Sequence, residues 1–221
     1  MTRLGARARN WGIAMAAIAL VALAPTPALA GAQVEEQLAQ SVVAGLQRSI
    51  ADNPVPADYA NKPELRPWIS EMSRRLTSRF SDAQTRDEFV ATVYYEAMRA
   101  GLDPQLVLGV IQYESNFRKY AISPADARGY MQVMPFWTRL IGAPDHNLFH
   151  LRTNLRYGCV ILRFYLDTEK GDLYRALGRY NGSLGQPEYP TAVLATMNRN
   201  WLYPPVAAPK IGVLPSSIAV R

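Results

Sequence analysis

The chain has 221 residues, 49% of them apolar and 19% charged, which excludes wholesale disorder and leaves room for one medium domain or two small ones. Its 14 glycines and 16 prolines are too few for a collagen-like or low-complexity chain, and one cysteine with two histidines supplies neither a structural zinc site nor a Ser-His-Asp triad well. The formal charge of +6 is unevenly spread, because three arginines and no acid lie in the first thirty residues.

Those thirty residues read as an export signal. Arg3, Arg7 and Arg9 open the chain, Trp11 to Ala24 is an unbroken apolar run of 14 residues, and Pro25 and Pro27 lead into Ala28-Leu29-Ala30. A basic start, a short apolar core and a small-x-small site form a cleavable secretory signal. The apolar run is shorter than the roughly 20 residues that span a bilayer, so no stable membrane anchor is expected after cleavage. Cleavage after Ala30 takes three of the 24 bases and leaves 21 against 18 acids, or +3. A balance that small gives no reason to expect nucleic acid as a partner, and the expected location is the periplasm or the exterior.

The remainder reads as helices. Val34, Leu38, Val42, Leu46 and Ile50 recur every four residues and predict an amphipathic helix over Gln33 to Ala51. Asn53 to Pro67 holds four prolines and reads as a linker. Trp68, Ile69, Met72, Leu76 and Phe80 mark a second helix, and Phe89, Val90, Val93, Tyr94 and Ala97 a third, ended by Gly101. Asp103-Pro104 opens a fourth, running to about Asn116. Phe117 to Pro135 lacks a helical period and is expected to be a structured loop with a short ribbon. Helical pattern returns over Pro135 to Ile141, Asn154 to Thr168, Asp172 to Tyr180 and Pro190 to Tyr203. The expected organisation is a signal over 1–30, a helix and linker over 31–67, a mainly α domain over 68–203 and a tail over 204–221. Cys159 has no partner for an intrachain disulfide and falls on an apolar stripe, so an inert buried thiol is expected.

One residue breaks the pattern. Val107, Val110 and Ile111 form the inward face of the fourth helix, and Glu114 continues it. Burial and the negative end of the helix both disfavour a carboxylate there, which suits a general acid held neutral near pH 7. The spacing alone equally admits a surface glutamate paired with Arg118 or Lys119.

The flanking residues bear on that choice. Glu114-Ser115 is followed by Ser123-Pro124, by Gly129-Tyr130-Met131-Gln132-Val133-Met134-Pro135 and by Arg179-Tyr180-Asn181-Gly182. This resembles the soluble lytic transglycosylases, whose pattern is Glu-Ser, Ser-Pro, Gly-Leu-Met-Gln-Ile-Met-Pro and Ala-Tyr-Asn. Tyr130, Val133 and Arg179 are the departures. Asn154-Leu155-x-x-Gly158 and Gly171-Asp172-Leu173 keep the same rhythm, and the likeness covers about Asp87 to Tyr203.

The resemblance implies a lysozyme-like helical fold with one long active-site loop, related to goose-type lysozymes. It implies cleavage of peptidoglycan glycan strands between N-acetylmuramic acid and N-acetylglucosamine, without metal or cofactor. Glu114 would protonate the glycosidic oxygen, then accept the proton of the C6 hydroxyl as that hydroxyl closes on C1 to a 1,6-anhydro end. Ser123 would bond near the acid, Gly129 would let the backbone approach the sugar, and Met131 and Gln132 would line the cleft. Ser115, Tyr180 and Asn181 complete the expected substrate-contacting set, with the Tyr180 phenol a partner for neutral Glu114. All but Gly129 have a plainer alternative: core packing for Met131, a backbone cap for Gln132, a turn for Ser123 and Asn181, a helix-carbonyl bond for Ser115, and a core phenol for Tyr180.

Asp126 stands where the family commonly has a small residue, often Gly. It is either a turn residue paired with Arg128 or a water-positioning base, the latter making the chain a lysozyme-type hydrolase. Tyr113, Tyr120, Phe136, Trp137 and Tyr189 are candidates for a sugar-stacking rim. His146 and His150 lack an evident third ligand, so no metal is expected. A third reading is a wall-binding accessory of an envelope assembly that docks through residues 33–67.

Overall fold

A computed structural model describes residues 33–51, 53–56 and 59–203. The expected signal over 1–30 and the tail over 204–221 lie outside the described residues.

The described chain is helical: α1 (Gln40–Ile50), α2 (Arg66–Arg75), α3 (Ala83–Arg99), α4 (Pro104–Ser115), α5 (Phe136–Ile141), α6 (Leu151–Thr168), α7 (Leu173–Asn181) and α8 (Glu188–Asn200). A 3-10 turn over Tyr59–Asn61 joins α1 to α2. Aspartates cap α3, α4 and α7. Asp82 accepts from the Thr85 N–H at 2.6 Å, Asp103 from Gln105 at 2.8 Å and Asp172 from Arg175 at 3.0 Å.

The core centres on α3, whose Phe89, Val90, Val93, Tyr94 and Ala97 are all buried. It packs on α2, α4 and α6, while α8 lies along α4 and against α7. Cys159 is fully buried on α6, and burial pushes its thiol well above the ordinary range.

The first helix is shorter than its periodicity predicts. Residues 33–39 are not helical, and α1 begins only at Gln40. The reason is tertiary. The Gln33 side chain is buried against the loop 99 residues away, where its amide nitrogen donates to the Gln132 carbonyl at 3.3 Å. Its amide oxygen accepts from the Met134 N–H at 3.2 Å. The second helix also stops early, at Arg75, and Leu76 to Phe80 forms turns that still bury Leu76.

The loop between α4 and α5 is ordered by a narrow ribbon, in which Arg128 bridges to both Ile122 and Val133. Its organiser is Asn154 on α6, fully buried. The Asn154 Oδ1 accepts from the Met131 N–H, and its Nδ2 donates to the carbonyls of Arg128 and Leu148, all at 2.8 Å. One side chain thereby pairs the Met131 N–H and the Leu148 carbonyl and adds a second donor to the Arg128 carbonyl, which also accepts from the Val133 N–H at 3.0 Å.

Gly129 and Gly158 make room for this arrangement. Gly129 has φ of 75°, and a Cβ there would come within 2.4 Å of the Asn154 amide and 2.6 Å of the Leu148 carbonyl. A Cβ on Gly158 would lie 2.4 Å from the Met131 sulfur. The close approach at Gly129 is therefore to Asn154, where the sequence suggests an approach to sugar.

Asn154→Ala should lower stability by about 2 kcal/mol or more, because the Met131 N–H and the Leu148 carbonyl are left unpaired at about 1–3 kcal/mol each. Urea unfolding of the two chains measures this, and a difference under about 1 kcal/mol would contradict the role given to Asn154.

Candidate active site

Glu114 lies in the last turn of α4, one residue before the helix ends. The next two positions carry left-handed backbone, Asn116 at φ 50° and Phe117 at φ 65°, and turn the chain into the loop. Val107, Val110 and Ile111 are fully buried on the same face. Glu114 as a residue is half-buried.

Burial pushes the Glu114 carboxyl up from 4.5 to about 7. One contact opposes that rise. The Tyr189 hydroxyl donates to the Glu114 Oε1 at 2.6 Å, which favours the ionised form. Burial first, and then the charge of Glu114, raise the Tyr189 phenol well above its ordinary value. The phenol therefore stays protonated and acts only as a donor. The Tyr113 ring meets the Tyr189 ring edge-on, with centroids 5.0 Å apart, and steadies it.

The Tyr180 hydroxyl is not the acid's hydrogen-bond partner. It donates to the Met131 carbonyl at 2.7 Å, from a fully buried position at the end of α7. Burial first and the Glu114 charge second raise its phenol, so it stands near the acid while tying the loop to α7. The sequence offers Tyr189 only as a rim aromatic, because its helical pattern starts at Pro190. The helix begins two residues earlier, and its first turn places the Tyr189 phenol against Glu114.

The other expected residues fall into distinct places. The Ser115 hydroxyl is buried and donates to the Ile111 carbonyl at 3.1 Å. Ser123 Oγ accepts from the N–H groups of Ala125 and Ala127, at 3.2 and 3.0 Å, and shapes the turn that carries Asp126. Met131 is fully buried on Gly158. Gln132, at φ 49°, donates its amide to the carbonyls of Ala121 and Gly129, at 3.1 and 2.9 Å. Asn181 is half-buried at the last position of α7, just before Gly182 at φ 74°.

Asp126 forms a two-pronged pair with Arg128, both bonds 3.0 Å long, on a side chain 55% exposed. Its φ of 69° is a conformation that glycine, asparagine and aspartate tolerate best. Of the rim aromatics, Phe136, Trp137 and Tyr189 are buried, whereas Tyr113 and Tyr120 are 47% and 70% exposed. His146 shares a 2.7 Å hydrogen bond with the Tyr157 hydroxyl, and among the described residues no group of three acidic, histidine or cysteine side chains is gathered to hold a metal.

Comparison with known proteins comes to the same region. Residues 92–189 match the family described as transglycosylase SLT domain. Among curated relatives, the chain is 33% identical over 136 residues to the transglycosylase of Enterobacteria phage PRD1, covering 57% of this chain and 49% of that protein. It is 46% identical over 48 residues to the membrane-bound lytic murein transglycosylase C of Mannheimia succiniciproducens and to that of Haemophilus influenzae. Those matches cover 22% of this chain and 13% of either protein. The chain thus spans about half the length of the phage relative and a small part of the other two. No solved structure gives a significant match.

The raised Glu114 carboxyl has a consequence for stability. Between pH 4.5 and about 7 the folded chain keeps a proton that the unfolded chain has released. The stabilisation from that proton is full below 4.5 and is lost as the pH rises through about 7. Glu114→Gln should remove this dependence, so the variant gains stability over wild type as pH rises across the window. Urea unfolding at a series of pH values measures it, and parallel curves for the two chains would contradict the shift.

Proposed function

We propose that this chain, whose residues 92–189 match the transglycosylase SLT domain family, is an exported enzyme that cleaves the β-1,4 bond between N-acetylmuramic acid and N-acetylglucosamine in peptidoglycan and leaves a 1,6-anhydro end. The observation that carries this reading is a carboxyl group that burial raises to about 7, on an apolar helix face and held by one phenol.

At neutral pH a substantial fraction of such a group is protonated. It gives its proton to the glycosidic oxygen as the bond to C1 breaks. The leaving sugar departs as a neutral alcohol, and Glu114 becomes a carboxylate. The Tyr189 hydroxyl, already aimed at Oε1, supports that charge in the interior. The carboxylate then takes the proton of the muramic acid C6 hydroxyl while its oxygen bonds to C1. Glu114 ends protonated as it began, and no water is consumed.

Ring closure is favoured over hydrolysis by the acids available. Glycoside hydrolysis by a water molecule normally uses a second carboxylate as base. Asp126 is the one acid between Glu114 and Asp145, and it is committed to Arg128 on an exposed turn. The C6 hydroxyl is tethered to the reacting sugar and needs no such partner. Tethering is worth an effective molarity of up to about 10⁵–10⁸ M, enough to outcompete water.

Among the expected substrate-contacting residues, Asn181 is the half-buried side chain at a helix end, and we assign it a contact with glycan. Ser115, Ser123, Gly129, Met131, Gln132 and Tyr180 serve substrate through the loop that their hydrogen bonds and packing shape. The exposed Tyr113 and Tyr120 are proposed as stacking surfaces for sugar rings. An exported location rests on the leader read from residues 1–30. Among the described residues no helix is long and apolar enough to cross a membrane.

Glu114→Gln should lower turnover on purified peptidoglycan by about 10²–10⁴-fold, the usual worth of general acid–base catalysis. Mass spectrometry of wild-type products should find 1,6-anhydromuramic acid ends, with Asp126→Asn within a few-fold of wild type. Reducing muramic acid ends that vanish in Asp126→Asn would make the chain a lysozyme-type hydrolase. Tyr189→Phe removes the bond that draws the Glu114 carboxyl down, so its pKa should rise. The alkaline fall of the pH–rate profile should move to higher pH, and an unmoved limb would contradict the role given to that phenol.

A further inference from the structure

The segment that precedes α1 lies outside residues 92–189, yet it reaches the wall of the site. Gln33 is 4% exposed although it belongs to an extended stretch whose next residue, Val34, is 53% exposed. Its amide pairs with the carbonyl of Gln132 and the N–H of Met134, as a neighbouring strand would. These two backbone groups follow directly on the Met131 carbonyl that receives the Tyr180 hydroxyl. Three residues along, Glu36 lies 3.2 Å from Arg179, the neighbour of Tyr180, and Arg179 is also paired with Glu169. The segment 33–36 thus fastens the loop at 131–134 and the end of α7 together, and the Tyr180 phenol at that end feels the charge of Glu114.

An exposed, non-helical segment has no local reason to keep this path. Backbone freedom in residues 33–39 opposes it, and a buried glutamine with two bonds to the loop offsets that cost. The loop for its part has left-handed backbone at Gly129 and Gln132, and its 132–134 stretch lacks helix or strand partners beyond the single Arg128–Val133 bridge. Without Gln33, the Met134 N–H and one bond to the Gln132 carbonyl are surrendered to water. The turn is then free to shift relative to Glu114, and a displacement of about 1 Å at a catalytic site can cost about 10²-fold in rate.

We infer that Gln33 is a positioning residue for the reaction at Glu114: it holds the 131–134 turn in the place where the loop wall faces the acid. The inference rests on the proposed function for its kinetic arm and on the fold alone for its exchange arm.

The test uses the full chain carrying Gln33→Ala, with Val34→Ala as the exposed neighbour control. Amide hydrogen exchange at Met134 should quicken at least about tenfold in Gln33→Ala, as expected for loss of a bond worth about one factor of ten. On purified peptidoglycan, kcat should fall about tenfold or more while KM changes less, at a temperature where both chains are fully folded. Val34→Ala should match wild type. Unchanged exchange at Met134 in Gln33→Ala overturns the inference, and so does quickened exchange with wild-type kcat, which would make Gln33 merely structural. A wild-type chain that releases no product overturns the proposed function instead, and the exchange arm then decides whether Gln33 holds the turn.

Discussion

Glu114 occupies a place on α4 where the helix otherwise turns Val107, Val110 and Ile111 to the interior. Water solvates a carboxylate far better than hydrocarbon does, so the interior raises the proton affinity of this group and the surface restrains it. The value settles at about 7 because burial raises it while one phenol supports the ionised form. A fully exposed glutamate would have given up its proton before meeting substrate. A fully enclosed one without Tyr189 would hold it too tightly to give it up and would not reach substrate at all.

The rest of the domain serves that setting. α8 runs along α4 and brings Tyr189 to the carboxyl group, with Tyr113 packed edge-on behind it. The loop that follows α4 has little regular structure of its own, and it is made rigid from outside. Asn154 satisfies three of its backbone neighbourhood's groups from α6, Gly158 receives Met131, and Tyr180 holds the Met131 carbonyl from α7. The polar residues of the loop are occupied in the same work, Gln132 and Ser123 among them. A loop built this way is shaped by partners drawn from α6, α7 and the segment ahead of α1.

Much of this was legible along the chain because it depends on local spacing. The inward stripe ending in Glu114, the Asp103-Pro104 start of its helix and the buried setting of Cys159 all follow from a 3.6-residue period and capping chemistry. The turn-forming role of Asp126 beside Arg128 was one of two readings, and the geometry favours it. Contacts between distant segments left no such trace. Nothing in the spacing distinguishes Tyr189 from Tyr180 as the partner of Glu114, since both are aromatic residues on helices remote from it. Asn154 was visible as part of a rhythm with Gly158, but its service to Met131 emerges only when α6 packs against the loop. Gln33 is the plainest case. Its apolar neighbours at four-residue intervals predict a helix, and a buried amide bond to a loop 99 residues away overrides them.

Everything proposed for this chain turns on the proton affinity of one carboxyl group. Carbon-13 NMR titration of the Glu114 side-chain carboxyl, in otherwise wild-type chain, reads that affinity without reference to substrate. The account predicts a midpoint near 7, rising further in Tyr189→Phe. A midpoint near the ordinary 4.5 would mean that the group is ionised throughout the neutral range, and it would contradict the assignment of Glu114 as the acid.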